Sequence, residues 1–453
     1  MMHDAFASRS AQAAEDADRA VMLRLGVVAG ALVALTLATL PATRAGGDYA
    51  NVTLTLMAGL LALAATRIAE RTTAAQAMWL IVGVAVLLRL ALLISQPLLS
   101  SDVYRYVWDG KVQAAGINPY RYLPADDALA PLRDAAIYPN INRPDYAPTI
   151  YPPVAQMFFF VVTRFGENVT TMKLGLVGCE AVIAGAIALL LIRLGRPITR
   201  LVAYLWHPLP LWQIANSGHV DALMLALMMA GLCFAVTGWP LRGAVAVALG
   251  ALVKPFALLA LPACWRPWDW KAPLAVLAVI ALCYAPYLSV GWGVFGYLTA
   301  GYLSEEHYET GGGVWLLALW RALVGVLPGD TFIYFALSAL TLAAMGLATS
   351  LRAPRHPATM LADIHRIVLV FLVLLSPNYP WYFLIATPFL ALIGGAPTWT
   401  LTLGAILLQD ENRLGYFIPM MPRKTVIYGA FLCACAYAGW QARRTKGEAK
   451  GAP

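Results

Sequence analysis

The chain has 453 residues, 60% of them hydrophobic and only 12% charged, with a formal net charge of +8. A soluble domain carries about 25% charged residues, so the composition excludes an ordinary globular protein and indicates an all-α polytopic membrane protein. The basic residues recur in short clusters between apolar runs instead of forming one patch. That excludes nucleic acid as the natural partner and follows the positive-inside pattern of cytoplasmic loops.

In chain order, a long leader with Asp4, Glu15, Asp16 and Asp18 precedes the first apolar run, Leu25 to Leu40, which suits a membrane anchor better than a cleaved signal. Candidate spans fall at about 21–40, 51–68, 77–97, 171–193, 198–215, 219–237, 242–253, 255–265, 272–290, 331–351, 362–376, 380–394, 397–409 and 424–441. They predict about 12–14 transmembrane helices, several too short to cross ~30 Å of hydrocarbon unless tilted, broken or buried by neighbours. With the N-terminus inside, "RIAERTT", "RLGRPITR", "CWRPWDWK", "LRAPRHP" and "QARRTK" all fall on the cytoplasmic side, as does the C-terminus. Stretches 97–150, 291–312 and 410–423 then fall outside, provided that Tyr151–Phe165 and Val314–Leu327 lie along the surface rather than cross. The expected division is 1–76, a cytoplasmic N-terminus with two extra spans; 77–395, a core including outer loops 97–170 and 291–330; and 396–453, C-terminal helices with a basic tail.

Cys179, Cys233, Cys264, Cys283, Cys433 and Cys435 lie within or beside apolar runs, with no CxxC pair, and read as small apolar residues. No repeat of fixed period, no strand-Gly-rich-helix unit and no GxxxxGK[ST] loop is present to hold a nucleotide. Loop 97–150 is the one large non-membrane piece besides the termini, with six Asp, five Lys or Arg and several tyrosines.

The candidate chemistry begins in "SSDVYRYVWDGKVQAAGINPY". If 101–110 is helical, Asp102, Arg105, Tyr106 and Asp109 share a face. Two readings stand: a general base tuned by a partner, or an ordinary ion pair on a solvated helix. Tyr151 in "TIYPPVAQMFFF" is either a sugar-stacking ring or an interfacial aromatic. "IANSGHVDALM" places His219 and Asp221 at the outer end of one span and the start of the next, at a spacing that gives no shared helical face. Polar groups there need partners or an aqueous cavity. Lys254, in "LVKPFALL", sits where Pro255 splits an apolar run and needs an anion, unless it snorkels to a headgroup. Glu305, Glu306, His307 and Glu309 in "GYLSEEHYETGGG" have no recognisable metal-ligand spacing. A mobile acceptor-facing loop or plain solvation remain, and Asp126-Asp127 reads as solvated loop, so no metal site is expected. "SPNYPWYFL" adds Asn378 and Tyr379. Under the charge-based orientation, Asp102, His219, Lys254, His307 and the Asn378-Tyr379 turn all map to the outer face.

These stretches, in this order over residues 77 to 395, resemble polytopic glycosyltransferases of the GT-C architecture, and most of all the family 87 and polyprenol-phosphate-mannose-dependent mannosyltransferases of bacteria. The resemblance implies a GT-C-like helical bundle in the inner membrane. It also implies a polyprenyl-phosphate sugar as donor on the extracytoplasmic side, a glycan or glycolipid acceptor, and no separate cofactor. An aspartate near the start of the first large outer loop is then the catalytic base, and Asp102 is the matching residue. Lys254 and His219 are the candidates for holding the donor phosphate, with Arg105 and Lys111 behind them. Tyr106, Asp109, Tyr151, Asp221, His307, Asn378 and Tyr379 complete the expected binding set. The two extra N-terminal spans and the "SEEHYETGGG" loop depart from the simplest pattern. The competing readings are a lipid or glycolipid flippase, whose polar groups would be expected near the bilayer midplane, and a structural subunit in which Asp102 is only a surface ion pair.

Overall fold

The computed structural model describes residues 2–72, 75–297, 301–352, 356–409 and 419–450, and helix is the only regular structure among them. Hydrocarbon offers backbone groups no partner, so spanning segments must satisfy every N–H and C=O internally, as a helix does. In chain order the principal helices are α1 (Met2–Ala69), α2 (Ala75–Leu93), α3 (Asp102–Ala114), α4 (Pro153–Thr163), α5 (Val169–Arg193), α6 (Asp221–Val236) and α7 (Pro240–Ala251). There follow α8 (Lys271–Tyr284), α9 (Trp315–Val324), α10 (Asp330–Leu351), α11 (Pro357–Leu375), α12 (Ala396–Gly404) and α13 (Met420–Lys450).

α1 kinks at Gly47 into two apolar arms, Asp18–Ala45 and Tyr49–Ala69, the two extra N-terminal spans. With α2, α5, Lys271–Phe295, α10 and α11 they make seven helices long and apolar enough to cross a membrane among the described residues. The chain is an integral membrane protein. Five of the other expected spans fold as shorter apolar helices: α6, α7, Pro255–Cys264, Pro380–Leu392 and Ala396–Leu408; 198–215 breaks into short turns of helix, and 424–441 lies within the 31-residue α13. Prolines start or interrupt most of these pieces, which is why the apolar runs do not form single long helices. α4 and α9, of 11 and 10 residues, are about 15–17 Å long and cannot cross, in keeping with a surface placement. The expected outer stretch 410–423 lies largely outside the described residues.

Two groups of contacts mark opposite ends of α2. At its start, Thr199 Oγ1 donates to the Ala69 and Thr72 carbonyls at 3.0 and 3.1 Å, and Arg200 meets Glu70 at 2.9 Å. "RIAERTT" and "RLGRPITR" therefore share one end. At the other, the fully buried Lys173 donates to the Leu92 and Ser95 carbonyls at 2.9 and 2.8 Å, a cation set at the C-terminal end of the helix. Asn216 accepts Leu98 N–H at 3.0 Å and donates to Ser95 Oγ at 2.8 Å. These contacts fix the path of the chain into α3. The 19 residues of α2 separate the two ends by about 28 Å.

Inside the bundle Arg89 on α2 makes a two-pronged pair with Glu180 on α5, at 2.9 and 2.7 Å, and donates to Leu205 O at 2.8 Å. A buried pair of this kind survives only with good geometry and few idle donors.

The segment 97–170 is built on α3 packed against α4. Their approach requires Gly110, where an added Cβ would lie 2.5 Å from the Phe159 carbonyl oxygen. Asp109, 2% exposed, supplies the polar centre: it accepts from Arg105 Nε at 2.8 Å, Thr149 Oγ1 at 2.6 Å and Gln156 Nε2 at 2.9 Å. Arg105 also donates to Ala147 O at 3.1 Å. One carboxylate thus ties together α3, the 147–151 segment and the start of α4.

Two stability predictions follow from these buried charges. Glu180→Leu leaves Arg89 charged and unpaired and should cost about 3–5 kcal/mol, read as a lower thermal midpoint of the detergent-solubilised protein; adding Arg89→Met should recover most of the loss. Asp109→Ala should cost a similar ~3–5 kcal/mol by the same measurement, whereas Asp102→Asn should cost less than about 1 kcal/mol.

Candidate active site

Asp102 opens α3 at the point where the chain leaves α2, its N–H bonded to Ser100 Oγ at 3.2 Å. Its place in the first turn sets the carboxylate beside free helix N–H groups and the positive end of the helix dipole. Asn142 Nδ2 donates to Asp102 Oδ1 at 2.6 Å and fixes the plane of the carboxylate. The other oxygen stays free of hydrogen bonds among the described residues and lies 3.7 Å from His219 Nδ1.

His219 is fully buried, and neither ring nitrogen has a hydrogen-bond partner among the described residues. Its ring stacks on Trp381 at 4.2 Å, and Trp381 stacks in turn on Tyr379 at 4.4 Å. Gly218 makes this placement possible: its φ of +71° is costly for a side-chain-bearing residue, and a Cβ would come within 3.0 Å of Lys173 and Val103.

Lys254 sits at the expected break. Its extended φ of −146° and ψ of 135° obey the restriction that Pro255 imposes, and a 3₁₀ turn, Pro255–Ala260, follows. Its anion within the chain is Asp221, at 2.6 Å, with the ammonium also 5.1 Å from the Tyr382 ring centre. His219 and Asp221 therefore do not form a dyad: one faces Asp102, the other Lys254.

A cavity of about 510 Å³ opens between these groups, within the usual range for small-ligand sites. Asp102, Asn142, Arg143, Tyr151 and Lys254 line one part of it, and Tyr302, Glu305, Glu306, Tyr379, Trp381 and Tyr382 the other. Arg143 Nε donates to Glu305 Oε1 at 2.6 Å, bridging the 97–170 segment to the 301–313 segment.

The sequence-predicted residues divide three ways. Asp102, Tyr151, Lys254 and Tyr379 line the cavity, with His219 and Asp221 directly behind it. Arg105 and Asp109 are turned to each other inside the outer loop, and Tyr106 is buried between Tyr151 and Phe159, at 4.9 and 4.6 Å. Lys111 pairs with Asp134 at 2.7 Å, which helps hold that carboxyl below its ordinary range although its partial burial pushes the other way. These four shape the loop and do not border the cavity. His307 is exposed at a left-handed turn (φ 59°), and Asn378 links Glu306 to Lys424, at 3.0 and 2.7 Å. Asn142, Arg143, Tyr302 and Tyr382 had no place among the predicted site residues. Arg143 left one signal, a basic residue before a proline in "NINRPDY", but its partner Glu305 lies 162 positions away.

Chemically the cavity pairs an oriented carboxylate with two cations and several aromatic faces. A hydroxyl beside Asp102 can lose its proton there, while Lys254 and Arg143 can neutralise an anion leaving on the cavity's other side.

A family described as "Alpha-(1->6)-mannopyranosyltransferase, N-terminal domain" matches residues 19–268. Alpha-(1->6)-mannopyranosyltransferase A of Mycobacterium tuberculosis is 26% identical over 392 residues, covering 77% of this chain and 72% of that protein. A Mycolicibacterium smegmatis protein named "Probable alpha-(1->6)-mannopyranosyltransferase" is 30% identical over 199 residues, 42% of this chain and 34% of its own length. No solved structure matches. The matched segment carries Asp102, Asn142, Arg143, His219 and Lys254, and on that match the chain belongs to the alpha-(1->6)-mannopyranosyltransferase family.

Proposed function

We propose that this protein transfers a mannosyl residue from a polyprenyl-phosphate donor to a glycan or glycolipid acceptor on the extracytoplasmic side of the plasma membrane, with Asp102 as general base. The observation that carries the reading is the Asp102 carboxylate, oriented by Asn142 with its second oxygen free, in the same cavity as Lys254 and Arg143. Family membership supplies the reaction class.

The step runs as a single displacement. An acceptor hydroxyl attacks the anomeric carbon as its proton passes to the free Asp102 oxygen. The bond from that carbon to phosphate breaks, and polyprenyl phosphate departs with the electron pair. Cations placed where that charge develops lower the barrier more than the same cations would in water. Lys254 and Arg143 are each held by a carboxylate, Asp221 and Glu305, so they are already oriented when a phosphate approaches. One displacement inverts the anomer, and a β-linked donor gives the α linkage in the relatives' names.

The side assignment is supported by charge. "RIAERTT" and "RLGRPITR" meet at the end of α2 remote from Asp102, and basic segments favour the cytoplasm. On this reading the N-terminus lies inside, the basic "QARRTK" tail favours the same side for the C-terminus, and the cavity lies outside, level with the headgroup of a lipid-borne donor. The flippase reading calls for open polar sites at mid-membrane; Arg89 and Glu180 are instead closed on one another.

Membranes containing the native chain should transfer label from polyprenyl-phosphate-mannose, and Asp102→Asn at matched expression should reduce the rate about 10²–10⁴-fold. Unimpaired transfer by the variant would remove Asp102 as the base. No transfer by the native chain would overturn the donor.

A further inference from the structure

The second outer loop contains a carboxylate that the displacement does not use. Glu306 lines the cavity, is 3% exposed, and has one oxygen, Oε1, with no hydrogen-bond partner among the described residues. Its other oxygen is anchored. Asn378 Nδ2 donates to Oε2 at 3.0 Å, and Asn378 Oδ1 accepts from Lys424, which rises from the first turn of α13 and also bonds the Gly313 and Ser376 carbonyls. Lys424 is itself fully buried. Three separate segments thus converge to hold one face of Glu306 and leave the other idle.

A buried acceptor without a partner costs stability, and a site that receives a ligand hydroxyl is where such a group is satisfied. Burial pushes the Glu306 carboxyl up, against the lowering effects of the Asn378 hydrogen bond and the Arg143 charge. Its surroundings are those of a sugar site. Tyr302, Tyr308, Tyr379 and Tyr382 lie within electrostatic reach of it, and Tyr379 and Trp381 present a stacked aromatic wall in the same cavity. Carbohydrates offer hydroxyl donors on their edges and C–H groups on their faces, so a carboxylate beside an aromatic wall fits both.

We propose that Glu306 is a polyol-binding subsite: its idle oxygen accepts a hydrogen bond from a hydroxyl of the sugar in the cavity, while Asn378 and Lys424 hold the carboxylate in place. The choice of mannose probes rests on the function proposed above. Two sources of that hydroxyl are chemically equivalent, the mannosyl group of the donor and the acceptor glycan.

The test is equilibrium binding to the purified, detergent-solubilised full chain, followed by tryptophan fluorescence, of two probes: a short-chain polyprenyl-phosphate-mannose and soluble α-1,6-mannobiose. Thermal midpoints of native, Glu306→Ala and Glu306→Gln proteins establish folding. Glu306→Ala should weaken one probe by about tenfold or more, as removal of a charge-assisted acceptor does. A loss confined to the donor probe assigns the subsite to the transferred sugar, and a loss confined to mannobiose assigns it to the acceptor. If the alanine variant does not fold, Glu306→Gln decides, with an expected loss of about threefold or more, since it keeps the shape but loses the charge. Native affinity for both probes in the folded variant overturns the proposal, as does failure of the native chain to bind either. The transfer assay is independent: Glu306-dependent binding without mannosyl transfer would contradict the proposed reaction and leave the subsite standing.

Discussion

The Asp109 carboxylate is the point on which the end of the molecule that holds the cavity depends. It is buried in a chain with few charges to spare, and three donors from α3, the 147–151 segment and α4 reach it together. A buried charge is tolerated when fully paired and strongly destabilising when not. This one converts a long polar loop into a fixed wall. Tyr151, the Tyr106 ring beneath it and the start of α3 that carries Asp102 all take their positions from that knot. The same rule runs through the bundle. Arg89 with Glu180 and Lys173 with two carbonyls of the α2 exit are closed internally. The cavity is where the rule is relaxed, with Asp102, His219 and Glu306 each keeping an atom unpaired among the described residues.

Much of this was legible from local pattern. Composition alone specified an all-helical membrane protein, and the Lys254-Pro255 pair predicted the break that delivers a lysine to a turn. The position of Asp102 just past an apolar run singled it out. Helical spacing put Asp102, Arg105, Tyr106 and Asp109 on one face and was right about the helix, but it could not divide them. Arg105 and Asp109, one turn apart, bond each other and the loop, while Asp102 at the open end of the helix is left for the cavity. Several apolar runs fold as shorter helices that prolines start or break, as their length and proline content led one to expect.

The rest was illegible for a physical reason. Arg143 with Glu305, Asn142 with Asp102 and Lys424 with Asn378 are side-chain contacts between segments far apart in the chain. No periodicity encodes such pairs; they appear only when the bundle brings its loops to one end. The family match stops at residue 268. It contains the proposed base and both cations, whereas Tyr302, Glu305, Glu306, Trp381 and Tyr382 come from beyond it. The cavity is therefore assembled from two regions of the chain, with Asp102, Lys254 and Arg143 on one side and an aromatic, acidic wall on the other.

The central claim is that Asp102 acts on the acceptor's proton and not as a ligand for the donor. The most direct test separates binding from chemistry: the affinity of purified Asp102→Asn for a non-transferable phosphonate analogue of polyprenyl-phosphate-mannose, compared with native protein. Binding at or above native affinity is expected, since removing a negative charge beside the Lys254 and Arg143 cavity does not repel an anion, while transfer from the natural donor is lost. A loss of analogue binding that matches the loss of transfer would contradict it and make Asp102 part of the donor site.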